Sequence, residues 1–78
     1  MAIKETFEEK IEKVVIKVLI KHKELKKSRL IDEVHKIVKV EYGAGRPRIM
    51  AAINRLEERG EIKKRDEGAA VIYYMVKK

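Results

Sequence analysis

The chain has no cysteine and no tryptophan, one proline, one phenylalanine, and only four glycines. Without thiols it can form neither disulfides nor thiolate metal sites. Ser28 and Thr6 are its only aliphatic hydroxyls, and no glycine-rich run exists to cradle a phosphate. Its acids alternate with lysines as they do in ion-pair networks, so neither an enzyme nor a catalytic residue is expected. His22 and His35 fall on different helical segments, without a carboxylate at ligand spacing, which argues against a metal site. Nothing points to a small-molecule cofactor. No apolar run approaches the roughly 20 residues of a membrane span, and the charged N-terminus does not read as a secretory signal. The expectation is a soluble, cytoplasmic protein without membrane association.

What remains is charge and aliphatic bulk. At 78 residues, with 45% hydrophobic and 42% charged side chains, residues 1–78 form one small domain near the lower limit for a self-sufficient core. The richness in charge and poverty in Ser, Thr, Asn and Gln suit a heat-adapted proteome. Net charge is +7, from 20 basic and 13 acidic residues, which favours a polyanionic partner. The surplus is uneven. Lys4 to Glu24 is nearly balanced, whereas Lys26, Lys27 and Arg29, the stretch Arg46 to Arg59, and Lys77 with Lys78 carry most of the excess.

Three segments have helical periodicity. Thr6 with Glu9 forms a capping box ahead of Phe7, Ile11, Val14, Val15, Val18 and Leu19, which predicts a first helix to about His22 or Lys23. Ile3, Ile16 and Ile20 widen its apolar surface, for a longer core contact or a second copy. Ser28 is placed to cap a second helix bearing Leu30, Ile31, Val34, Ile37 and Val38, fading near Val40. After the turn Tyr42-Gly43-Ala44-Gly45, Pro47 suits a first helical position, and Ile49, Ala52, Ile53 and Leu56 form the buried stripe of a third helix closed by Gly60. Its remaining surface holds Ala51 and Asn54, with Arg48 and Arg55 along one edge and Met50 on the other. Beyond Gly60 the period changes to that of strands. Glu61 to Arg65 and Ala69 to Val76 predict a hairpin turning at Asp66-Glu67-Gly68, with both faces of the second strand apolar. Tyr42, Tyr73 and Tyr74 are expected to pack in the core or at a dimer contact.

This order of helix, helix, turn, helix and hairpin resembles the winged-helix DNA-binding domain across nearly the whole chain. Ile49, Ile53, Leu56, Gly60 and Ile62 match that family's third helix and its exit into the wing. VIYYMV at 71–76 looks like the second wing strand of small metalloregulator-type and multiple-resistance-type repressors. The resemblance implies an α+β fold, a winged helix-turn-helix of three helices followed by a C-terminal β-hairpin. A short strand around Leu25 to Lys27 would complete the family pattern.

It also implies a partner and a site. In that family the third helix enters the major groove of double-stranded DNA. Carried over, Ala51, Asn54 and Arg55 become base-edge candidates: a thymine methyl can meet Ala51, adenine suits the Asn54 amide, and an arginine at 48 or 55 can fork onto guanine. Arg46 and Arg48 lie where helix N-terminal N–H groups already favour phosphate. Lys27, Ser28 and Arg29 at the entry to the second helix, and Lys63 with Arg65 on the wing, are backbone-contact candidates. Asp66 and Glu67 depart from the basic wing tips usual in the family. These residues suggest a sequence-specific, archaeal-type transcription regulator acting as a homodimer. The alternative is a winged helix used for protein contacts within a larger complex.

Overall fold

The computed structural model describes residues 6–76. Helix α1 spans Phe7–His22, strand β1 Glu24–Lys26, helix α2 Lys27–Tyr42, helix α3 Arg46–Glu58, and strands β2 and β3 Ile62–Glu67 and Ala70–Met75. This is the expected α+β winged-helix arrangement, with the hairpin extended by β1 into a three-stranded antiparallel sheet of order β1-β3-β2.

The capping box forms as the sequence predicts. The Thr6 hydroxyl accepts from the Glu9 N–H at 3.2 Å, and the Glu9 carboxylate accepts from the Thr6 N–H at 3.1 Å. Two orphan donors of the first turn are thereby satisfied. At the other end Lys23 takes φ 69°, and its N–H donates to the Leu19 carbonyl at 2.7 Å.

Ser28 does not cap α2. The helix begins at Lys27 with Lys26 as its N-cap, and no side chain closes it. Pairing of Glu24, Leu25 and Lys26 with Tyr74, Tyr73 and Ile72 keeps the backbone extended through Lys26, so the chain turns helical before it reaches Ser28. Helix α2 also outlasts Val40. Tyr42 meets the Phe7 ring edge-to-face at 6.0 Å between centroids, and Gly43 ends the helix with φ 65°. Ala44 then tucks into the core.

Pro47 is the second residue of α3, not the first; its missing N–H still lies in the turn that has no intrahelical partner. Gly60, at φ 78°, lets the Gly60 and Glu61 N–H groups fold back onto the Glu57 and Leu56 carbonyls, both at 3.0 Å. The chain is thus redirected into β2.

The hairpin turn lies later than expected. Asp66 and Glu67 belong to β2, facing Val71 and Ala70, and the two-residue loop is Gly68-Ala69. Such loops need positive φ, which Gly68 supplies at 64° and an acidic pair does not readily adopt. The register also decides the open question of faces. Leu25, Ile62, Val71, Tyr73 and Met75 join the core, while Ile72 and Tyr74 lie on the outer face beside Lys26, Lys63 and Arg65. The core itself is aliphatic, drawn from Ile11, Val15 and Leu19 of α1, Leu30, Val34 and Val38 of α2, and the α3 stripe.

Candidate nucleic-acid interface

Helix α3 buries Ile49, Ala52, Ile53 and Leu56 and turns an outward ridge and an arginine-bearing flank away from that stripe. The outward ridge consists of Pro47, Ala51, Asn54 and Glu58, all exposed, with Met50 beside it. Because Pro47 and Ala51 are small, a groove floor can approach the helix backbone closely here. The ridge itself carries no basic side chain.

The arginine flank faces α1. Arg48, Arg55 and Arg59 follow one another along α3 at spacings that share one side, and the first helix meets them with Glu8 and Glu12. Arg55 Nε lies 2.6 Å from Glu12 Oε2, and Arg59 Nη2 lies 2.6 Å from Glu12 Oε1. Arg59 Nε also donates to Glu61 at 2.8 Å. Glu12 is only 5% exposed and is the one charged residue buried among those described. Burial pushes its carboxyl up, but the hydrogen bonds and charges of Arg55 and Arg59 outweigh that and hold it below the ordinary glutamate value.

In this structure Arg55 is turned toward α1 and not outward, as the reading of it as a base-edge residue would have it. Its guanidinium closes a buried carboxylate, and swinging it outward would leave Glu12 with Arg59 as its one guanidinium partner. Glu57 of α3 meets Lys64 of β2 at 3.7 Å.

Arg48 and Arg46 are held differently. Arg48 stacks over the Phe7 ring at 4.8 Å, with Nη1 3.8 Å from Glu8. Arg46 Nη2 reaches Asp32 of α2 at 3.1 Å. All four charged side chains are more than half exposed or close to it, so these pairs are surface pairs worth about 0–1 kcal/mol and open to exchange for phosphate. One arginine thus stands on each side of the Pro47-Ala51-Asn54 ridge, in the first turn of α3.

Lys27, Ser28 and Arg29 occupy the first turn of α2, which holds no acid. Arg29 Nε lies 3.4 Å from Glu33, whereas Lys27 has no carboxylate within ion-pair distance among the described residues. On the sheet, Lys63 and Arg65 share the outer face and Lys64 points the other way, as strand alternation requires. Arg65 is committed to Glu67 at 2.6 Å and Glu24 at 3.1 Å and stands over the Tyr74 ring at 5.8 Å. Those two hydrogen bonds raise its pKa. Arg65 therefore braces the sheet, leaving Lys63 as the uncommitted cation of β2.

Glu12 went unmarked in the sequence because it reads as one acid among many on a charged helix. The available signal was its spacing from Glu8, which puts two acids on one α1 flank; which helix that flank meets depends on the tertiary fold. Among the described residues no His, Cys, Asp or Glu group of three is arranged to hold a metal, and no helix is long and apolar enough to cross a membrane.

No protein-family model and no curated protein sequence matches this chain. Its fold is similar to a solved structure of HOP2, determined for insight into that protein's DNA recognition and protein interaction domains and its homologous DNA pairing. The two align with a TM-score of 0.60 and 19% identity, over 85% of this chain and 98% of that one. At this identity the likeness is one of fold: the chain folds as a winged helix.

Proposed function

We propose that this protein binds double-stranded DNA by seating α3 in the major groove. The observation that carries the reading is the outward ridge of α3, small at Pro47 and Ala51, polar at Asn54, and framed by Arg46 and Arg48 in exchangeable surface pairs. Arg46 and Arg48 contact phosphate on either side of the groove, while Asn54 offers paired donor and acceptor to adenine and Ala51 meets a thymine methyl. The uncapped start of α2, with Lys27, Ser28 and Arg29, adds backbone contacts, and Lys63 adds another from the sheet. The net charge of +7 and the fold shared with HOP2, a protein studied for DNA recognition, support the same reading.

The finer proposal is a sequence-specific regulator of transcription, from an archaeal, heat-adapted source, acting as a homodimer because a single module of this size offers little contact area. A mass near 9.1 kDa by light scattering of the protein at working concentration would refute the dimer.

The reading is tested by titrating the protein with a short duplex and following backbone amides by NMR. Perturbations are expected at Arg48, Ala51 and Asn54 and in the first turn of α2. Perturbations absent from α3 would overturn the assignment of the interface.

A further inference from the structure

On the side of α1 away from α3, a groove of about 480 Å³ runs between α1 and the C-terminal half of α2. Its apolar lining is Val14, Ile37 and the Tyr42 ring, with Lys10 standing over that ring at 5.9 Å, and Lys10 and Lys17 of α1 form one wall. Glu41 stands on the opposite wall. Ile37 is 38% exposed, and Val40, one turn further along α2, is 83% exposed. Residues three apart on a helix are neighbours, so these two side chains form one apolar step at the groove's edge.

Two flanks of α1 therefore differ in charge. Its glutamates Glu8 and Glu12 are turned toward α3 and neutralised there, whereas its lysines line this second face. An apolar floor beside a basic wall does not suit a phosphate backbone, which offers no apolar side chain to fill it. It suits an amphipathic helix, whose apolar stripe lies along the floor while acids spaced three and four residues apart meet the lysines. A second copy does not supply such a helix, because the apolar stripes of α1, α2 and α3 are already buried in its own core.

We propose that the α1–α2 groove is a docking site for an acidic amphipathic helix of another protein, oriented with its acids against the α1 lysines and a basic or neutral side chain against Glu41. The site is separate from the α3 ridge, so the protein can hold such a partner and a duplex at once.

The probe is a synthetic helical peptide of about sixteen residues, long enough to pass Lys10 and Lys17 with a turn to spare at each end. It carries leucines at i, i+3, i+4 and i+7 flanked by glutamates, and its twin has every glutamate replaced by lysine. Binding is followed by fluorescence anisotropy and by the methyl NMR signals of Val14, Ile37 and Val40. The acidic peptide is expected to move those methyls and to bind at least tenfold more tightly than the lysine twin. Lys10→Glu with Lys17→Glu, both exposed changes, should reverse the preference while the thermal midpoint stays within a few degrees. Equal affinity for the two peptides, or methyl signals unmoved by either, would overturn the proposal. So would a duplex DNA that moves the same methyls, which would make this a nucleic-acid face, or protein dilution alone moving them, which would make it a contact between copies. None of these outcomes depends on whether α3 reads DNA.

Discussion

The Glu12 clamp separates an arginine that holds the fold from those proposed to meet DNA. Arg55→Ala leaves a buried carboxylate with Arg59 alone in place of two guanidinium partners. Stranding one member of a fully buried pair costs roughly 3–5 kcal/mol. Here Arg59 remains and the Arg55 side chain is 35% exposed, so screening reduces the cost to about 1–3 kcal/mol. In a domain of this size each kcal/mol lowers Tm by about 4–8 °C, which predicts a fall of about 5–20 °C for Arg55→Ala at pH 7. Glu12→Leu removes the buried charge and lets both arginines turn to water. It should cost under about 1.5 kcal/mol, because an apolar side chain of similar volume often replaces a buried ion with little loss. The pH dependence has a definite sign. Although burial raises the Glu12 carboxyl, its arginine partners bring it below the ordinary value, so its contribution is present above the unfolded pKa, about 4.3, and is lost as pH falls through the folded value. Circular dichroism melts at pH 7 and pH 3 should therefore show Glu12→Leu gaining on the unmodified protein in acid. An Arg55→Ala protein whose Tm moves by less than about 2 °C, yet whose DNA affinity falls tenfold, would refute the clamp and return Arg55 to the interface.

Other changes probe the fold and the ridge separately. Thr6→Ala removes one half of the capping box and should cost about 1 kcal/mol in chemical denaturation, with no effect on DNA affinity. Gly60 has φ 78° and open space where a Cβ would sit, so Gly60→Ala should destabilise by about 1–2 kcal/mol through backbone conformation alone. A change within error would mean the α3 exit does not hold that conformation. Asn54→Ala should leave Tm unchanged and relax preference at a single base pair by about 1–3 kcal/mol in competition binding; uniform weakening on all duplexes would place Asn54 on phosphate instead.

The helices were largely legible because their signals are local. Thr6 with Glu9, the stripe Ile49 to Leu56, and Gly60 each act within a few residues, and each lies where its chemistry predicted. The misreadings arose where a distant partner decides. The short strand expected around Leu25 to Lys27 is fixed at Glu24–Lys26 by pairing with β3, and α2 begins directly after it, so Ser28 already lies inside the helix and caps nothing. Asp66 and Glu67 read as a turn, yet the ladder draws them into β2 because Gly68 is the residue able to turn it. The candidate site divides in the same way. Periodicity placed Ala51 and Asn54 on the exposed side of α3. It also put Arg48 and Arg55 on one edge, but it contained no information on whether α1 or solvent lies beyond that edge. The packing of α1 against α3 decides it, and Glu12 is the residue that makes the choice energetically firm.

The central claim, that Arg46 and Arg48 face DNA while Arg55 faces α1, is tested most directly by duplex affinity measured from about 50 to 300 mM salt. Each phosphate contact contributes about −0.9 to the slope of log K against log salt. Arg46→Ala and Arg48→Ala should each flatten that slope by about 0.9, and Arg55→Ala should leave it unchanged at a temperature where the variant is folded. No duplex binding at the lowest salt, or a slope that only Arg55→Ala flattens, would contradict the account.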